Sequence, residues 1–242
     1  MNRILFEHDE IDADGRVTFG GVRAEHVLSV LHGEVGQTLK TGVVDGKVGT
    51  GTIERIEGGT ITLRCVHDQE SLKPWIDLIL APPRPRVLKR LLPQLASMGV
   101  GRIVLVGAEK VEKAFWGAQL LKDEVSRPLL MDGLMQAGTT AMPTIQLERG
   151  FRRWLESEAF ERQFAASTDR IVAHPYSSGA TVDVLPARGA HPLLAIGPEG
   201  GWTDAEVERL ESHGFRRFSL GSRILRTDTA AIALLARLMP LP

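Results

Sequence analysis

Apolar residues along this chain follow two different rhythms. Before about residue 72 they sit in short β-branched segments separated by Gly and Asp turns: Arg16–Gly20, Thr41–Gly46, Gly51–Ile56 and Thr60–Leu63. Asp45-Gly46 between two such runs is a hairpin signal. Five or six short strands with one helix predict a small β-barrel. Beyond a break at Ser71–Pro74, continuous apolar runs alternate with helical spacings. Strands are predicted over Trp75–Ala81, Ile103–Gly107, Arg170–His174 and Leu193–Ile196. Helices are predicted over Pro85–Met98, Gly117–Ala137 and Phe151–Phe164. This is the βαβ rhythm of an α/β fold, a parallel sheet with helices on both faces. Two domains are therefore expected, 1–72 and 73–242.

The most informative stretch is Leu193-Leu194-Ala195-Ile196-Gly197-Pro198-Glu199-Gly200-Gly201-Trp202-Thr203-Asp204-Ala205-Glu206. Four apolar residues suit a strand buried on both faces. The glycines permit positive φ and a close ligand approach, and Pro198 stiffens the turn. Thr203 and Glu206 have the spacing of a capping box, which predicts a helix start. Strand, glycine loop and helix is the usual ligand position in an α/β sheet. A tight turn without a ligand has the same signature. No Lys-Ser/Thr follows the last glycine and the G-x-G-x-x-G spacing is absent, so neither a Walker loop nor a dinucleotide site is indicated. Glu199 inside the loop disfavours phosphate and favours a neutral or cationic ligand.

A second segment of the same kind follows: Leu220-Gly221-Ser222-Arg223-Ile224-Leu225-Arg226-Thr227-Asp228-Thr229-Ala230. Thr227 or Asp228 is placed to cap a last helix, Thr229–Leu238, apolar enough for a core or an interface. Arg223 and Arg226 suit exposed ion pairs, or contacts to RNA phosphate or a base edge. Trp202 suits either a cofactor cover or a core anchor.

Composition narrows the class. The chain has 242 residues, 43% hydrophobic and 24% charged, which suits a folded protein with a real core. The lone Cys65 excludes an intrachain disulfide and suits a reducing, cytoplasmic compartment. No apolar run reaches bilayer length, and the acids at Glu7 and Asp9 do not suit a signal peptide. The histidines and the cysteine show no zinc spacing, so no metal is expected. Charge is uneven: residues 1–72 carry 7 Lys/Arg against 12 Asp/Glu, whereas Pro82–Arg127 carries 9 against 4. Arg84, Arg86, Lys89 and Arg90 gather at a predicted helix start, as a solvated face or a phosphate-contacting one.

G-P-E-G-G-W-T-x-x-E followed by L-G-x-R-I-L-R-T-x-T-A resembles the RsmE family of 16S ribosomal RNA uridine-N3 methyltransferases, of the SPOUT class. Weaker similarity extends over Met1–Phe6, Glu25–Leu28, Val35–Gln37 (set against a family strand), Ser97–Val100, Gln136, Gly138 and Pro143. The resemblance implies a PUA-like β-barrel in 1–72 that helps to hold RNA. It implies a SPOUT-like methyltransferase domain in 73–242, a parallel sheet with a C-terminal trefoil knot. General topology rules disfavour knots, so that expectation rests on the resemblance alone. A homodimer, S-adenosylmethionine as cofactor, and 16S rRNA of the small ribosomal subunit as partner are also implied.

In a family-like site the cofactor would meet His174, Leu194, Ile196, Gly197, Pro198, Glu199, Gly200, Leu220, Gly221, Ile224, Leu225 and Thr229. Arg3, Arg84, Arg86, Lys89 and Arg223 are the candidate RNA contacts. Arg226 is the candidate stabiliser of an anionic base, and Asp228 and Glu199 are the candidate acceptors of the uridine proton, directly or through water. Ser29, His32 and Thr139 stand where relatives tend to have arginines, Pro93 near a usual lysine, and Asp228 where a glutamate is typical. The cofactor motifs are thus better kept than the RNA surface. Two alternatives stay open: a non-catalytic RNA- or ribosome-binding protein of the same fold, and methylation at a different RNA site.

Overall fold

The computed structural model describes residues 2–167, 169–175 and 189–240. The chain divides into two compact units, Met1–Lys73 with Met131–Met142, and Pro74–Leu130 with Pro143–Pro242.

In the first unit, strands β1 (Ile4–Phe6), β2 (Arg16–Phe19), β3 (Thr38–Val43), β4 (Val48–Glu57) and β5 (Thr60–Gln69) form one mixed sheet in the order β1-β3-β4-β5-β2. β1 runs parallel to β3, and the other pairings are antiparallel. The Asp45-Gly46 turn closes the β3–β4 hairpin, and Asp45 takes φ 55°, which Asp tolerates. Inward residues of the curled, barrel-like sheet pack with α1 (Gly21–Ser29) around Phe6, Phe19, Val27, Ile53 and Leu63. Val35–Gln37 forms a turn leading into β3, not a strand.

Arg3 is absorbed by this unit. Its guanidinium donates to the carbonyls of Gly138 (3.0 Å), Thr41 (2.6 Å) and Gly49 (3.1 Å). The Thr41 hydroxyl lies 2.9 Å from His67 Nε2. Burial first, and then the charge of Arg3, hold the His67 imidazole below its ordinary pKa.

The second unit is an α/β layer. Its elements are β6 (Ile76–Leu80), α2 (Pro85–Ser97), β7 (Val100–Val106), α3 (Asp123–Ala137, whose end belongs to the first unit), β8 (Thr144–Glu148), α4 (Phe151–Leu155), α5 (Glu158–Gln163), β9 (Arg170–Ala173), β10 (Leu193–Ile196), α6 (Asp204–Ser212), β11 (Phe215–Phe218) and α7 (Thr227–Leu238). The strand order is β11-β9-β10-β6-β7-β8, with every pairing parallel. β10 and β6 lie in the middle, and every residue of both is buried, as suits the apolar run of β10 and the run of β6, apolar but for Asp77.

Three expected elements change. The helix expected from Gly117 begins only at Asp123, and Lys113–Gly117 and Gln119–Leu121 are 3-10 turns instead. The helix expected over Phe151–Phe164 is two helices, because the Ser157 hydroxyl accepts from Phe160 N–H (3.2 Å) and starts α5 afresh. The last helix begins at Thr227, with Arg226 at its N-cap position. Strands β8 and β11 complete the two edges of the sheet.

One face of the sheet carries an aromatic core in which Trp154 packs edge-on to Phe160 (5.0 Å between ring centroids) and Phe151 stacks on Trp202 (5.2 Å). β10 is inserted between β9 and β6, β11 lies outside β9, and the chain then returns so that α7 packs on α2.

The turn after β10 is anchored by one buried carboxylate. Glu206, 8% exposed, accepts from Thr203 N–H (2.8 Å) through Oε2 and from Glu109 N–H (2.8 Å) through Oε1. Thr203 Oγ1 accepts in return from Glu206 N–H (3.3 Å), so the expected capping box is present. The same side chain thereby ties the start of α6 to the segment after β7.

Glu206→Ala leaves two part-buried amides without their acceptor and is expected to cost about 1–2 kcal/mol in urea unfolding, whereas exposed Glu208→Ala stays within about 0.5 kcal/mol. A second expectation concerns acid. His67 binds its proton more weakly when folded than at its unfolded value of about 6.5. The unfolded chain therefore takes up the extra proton. This contribution is complete above pH 6.5 and is lost as pH falls below it. Urea midpoints measured from pH 8 to 5 should show that loss, and His67→Gln should flatten it.

Candidate functional site

In a parallel sheet all C-terminal strand ends lie along one edge, and the loops leaving them face a common crevice. Here those loops follow β7, β9, β10 and β11. They enclose a cavity of about 590 Å³ lined by Lys110, His174, residues 196–202, Asp204, Arg217 and residues 218–221, with Arg223, Ile224, Leu225 and Thr227. The two segments singled out in the sequence, separated by more than a strand and a helix, are thus opposite walls of one site.

The first wall is a tight loop. Gly201 takes φ +70° and its N–H donates to the Pro198 carbonyl (2.8 Å). A Cβ on Gly197 would lie 3.0 Å from the Trp202 ring, so a larger residue would have to push that ring aside. Trp202 is a core anchor, buried on Phe151, and it also lines the cavity. Lys110 Nζ donates to the Gly200 carbonyl (3.0 Å), bracing the loop from the β7 side.

The second wall is held less by packing than by hydrogen bonds. Gly221 N–H donates to Ser219 Oγ (3.2 Å), and Ser219 Oγ–H reaches the Pro175 carbonyl (3.2 Å). The apolar side chains here are uncovered: Leu220 is 40% exposed, Ile224 71% and Leu225 37%. Exposed leucine and isoleucine side by side in a crevice suit an apolar, flat ligand. His174, in the cavity lining, is held below its ordinary pKa by burial first and then by the Arg217 charge, which favours the neutral imidazole. Arg217 itself is paired bidentately with Glu211 (2.7 and 2.8 Å), which raises the arginine pKa and lowers that of the glutamate.

Beside this crevice lies a smaller cavity of about 360 Å³, lined by Arg84, Val87, Glu199, Ile224, Leu225, Arg226, Thr227 and Asp228. Two of its lining residues, Arg84 and Glu199, pair with each other (Nε to Oε2), and a third, Asp228, pairs through Oδ2 with Arg90 Nη2, each 3.4 Å. Asp228 Oδ1 also accepts from Thr229 N–H (2.9 Å) in the first turn of α7.

The candidates expected from sequence divide accordingly. Ile196, Gly197, Pro198, Glu199, Gly200, Leu220, Gly221, Arg223, Ile224, Leu225 and His174 line the larger cavity, and Arg84, Glu199, Arg226 and Asp228 the smaller. Leu194 is fully buried inside the sheet and reaches neither. Thr229 is exposed on α7 and lines neither, while the buried Thr227 lines both. Arg86 and Lys89 are exposed on α2, outside both cavities. Arg3 belongs to the other unit, spent on carbonyls there. Sequence reasoning missed Lys110, Asp204 and Arg217 as wall residues, since each lies outside the two motifs or beyond their glycine cores. Among the described residues no three His, Cys, Asp or Glu side chains gather as metal ligands, and no helix is long and apolar enough to cross a membrane.

Comparison with known proteins agrees with this arrangement. The family model of the RNA methyltransferase domain matches residues 70–239. Ribosomal RNA small subunit methyltransferase E of Treponema pallidum is 30% identical, over 96% of this chain and 88% of its own length. The protein of the same name from Bacillus subtilis is 48% identical, over 96% and 93%. Among solved structures, a putative methyltransferase from Legionella pneumophila in complex with bound cofactor SAM superposes with TM-score 0.77 at 25% identity, covering 98% of this chain and 96% of that one. Ribosomal RNA small subunit methyltransferase E of Neisseria gonorrhoeae, bound to S-adenosylmethionine, superposes with TM-score 0.74 at 22% identity, covering 98% and 95%. The parallel sheet with its returning C-terminal segment is therefore the SPOUT fold, and the chain belongs to the ribosomal RNA small subunit methyltransferase E family of RNA methyltransferases.

Proposed function

We propose that this protein transfers a methyl group from S-adenosylmethionine to N3 of a uridine in 16S rRNA of the small ribosomal subunit. The observation that carries the reading is the meeting of the two motif segments in one crevice whose apolar wall is left uncovered. The residues present fit the cofactor. Leu220, Ile224 and Leu225 offer an apolar bed for an adenine ring, and the glycine loop brings backbone within reach of a ligand. The nearby carboxylates Glu199 and Asp204 suit a ligand with a positive centre. Two relatives that share the fold are solved with that cofactor.

When bound, S-adenosylmethionine supplies a methyl carbon on a sulfonium that leaves as a neutral thioether. The protein's part is to orient and to handle charge. His174, neutral, adds no positive charge beside a sulfonium. Arg226 lines the smaller cavity at the N-terminus of α7, where its own charge and the helix end both favour negative charge. It is the proposed stabiliser of the uridine as N3 loses its proton. Arg84, Arg86 and Lys89 line the approach on α2 as phosphate contacts, with Arg223 at the crevice mouth. The segment 1–72, within the first unit, is proposed to help hold the RNA, the protein to act as a homodimer, and its work to be cytoplasmic, where ribosomal subunits mature.

The test uses purified small ribosomal subunits and labelled cofactor, followed by mapping of the modified nucleotide. Methyl incorporation at one uridine N3 is the expected result, and an unmodified subunit rejects the reading. Arg226→Ala is expected to keep cofactor affinity by calorimetry within about threefold while the methylation rate falls roughly 10²–10³-fold. A fully active Arg226→Ala protein removes that residue from the chemistry.

A further inference from the structure

This inference rests on the reading above and concerns which carboxylate takes the proton. The larger and smaller cavities share four lining residues: Glu199, Ile224, Leu225 and Thr227. If the larger holds the cofactor, the smaller, at about 360 Å³, has room for one base turned out of its RNA stack. The methyl group must cross where they meet. N3 loses its proton in the plane of the ring, along the same direction in which the methyl arrives. The acceptor must therefore stand at that junction and not elsewhere in either cavity.

Of the described residues that line both cavities, Glu199 alone is ionisable. Asp228 lines only the smaller one, and both its oxygens are engaged, Oδ1 by Thr229 N–H and Oδ2 by Arg90. Glu199 has one polar partner among the described residues, Arg84, through Oε2 at 3.4 Å. That arginine is 67% exposed, beside exposed Arg86 and Lys89. An incoming RNA presents a phosphate at every nucleotide, and phosphate competes strongly for guanidinium.

We propose that Glu199 accepts the N3 proton, and that Arg84 is its displaceable partner, surrendered to an RNA phosphate as the base enters. The N3–H bond breaks with its electron pair remaining on N3, the proton passes to Glu199, and that pair forms the bond to the methyl carbon as the donor's carbon–sulfur bond breaks, its pair staying on sulfur as a neutral thioether. Asp228 is then a positioning residue that fixes Arg90 and the first turn of α7. Before RNA docks, the ion pair holds the carboxylate in place and keeps it occupied.

The experiment is single-turnover methylation of small subunits by the full-length protein with saturating S-adenosylmethionine, from pH 6 to 9. Glu199→Gln is expected to be at least about 10²-fold slower at pH 7. Its rate should keep climbing with pH, since only solvent is left to take the proton, whereas the unaltered protein levels off. Asp228→Asn should keep the plateau and lie within about tenfold of the unaltered rate. Arg84→Ala should bind subunits more weakly, with a salt slope smaller by about 1. Four results overturn the assignment: Glu199→Gln with an unchanged rate and plateau, Glu199→Gln that loses calorimetric affinity for S-adenosylmethionine, Asp228→Asn that reproduces the Glu199→Gln profile, or Arg84→Ala with unchanged affinity and salt slope. Unaltered protein that leaves subunits unmethylated overturns the functional reading itself and this assignment with it.

Discussion

The parallel run of all six strands in the second unit is the constraint from which the site follows. Parallel pairing makes every strand end at the same edge, so the connections after β7, β9, β10 and β11 have nowhere else to gather. Insertion of β10 between β9 and β6 puts the glycine loop at the middle of that edge. The return from β11 to α7 then lays the second motif across from it. Glu206 fixes the result, because one buried carboxylate holds both the α6 start and the segment after β7.

The division between a packed wall and an uncovered one has a physical basis. Loop 197–202 is locked from below by Trp202 on Phe151 and from the side by Lys110, and its backbone geometry is set before any ligand arrives. Residues 220–225 leave their apolar side chains in solvent. Burying them is favourable only when a ligand does it, so binding free energy is concentrated on that side. The same separation applies to charge, where surface arginines of α2 face the two carboxylates at the mouth of the smaller cavity.

Much of this was legible in the sequence where a residue's role is local. The capping box at Thr203 and Glu206, the Asp45-Gly46 hairpin and the apolar runs of β6 and β10 each carry their cause within a few residues. What was not legible depends on partners far along the chain. β8 and β11 are edge strands of four or five residues, too short for their apolar pattern to separate them from loops. Leu194 and Ile196 look alike in sequence, yet only the one at the strand end meets the cavity. Thr229 and Thr227 differ by a half turn of α7, and the helix start decides which faces inward. Arg3 reads as a free cation until the fold brings three carbonyls around it.

The outermost strand β11 reads Phe-Arg-Arg-Phe, with the two phenylalanines buried and the arginines tied to Asp169 and Glu211. An unprotected strand edge invites another chain to pair with it. A foreign strand adding itself as a seventh here would have to strip water from two guanidinium–carboxylate pairs for four residues of ladder. The sheet is in that sense terminated by charge, and a protein that must keep one crevice open at its loop edge is spared polymerising along its side.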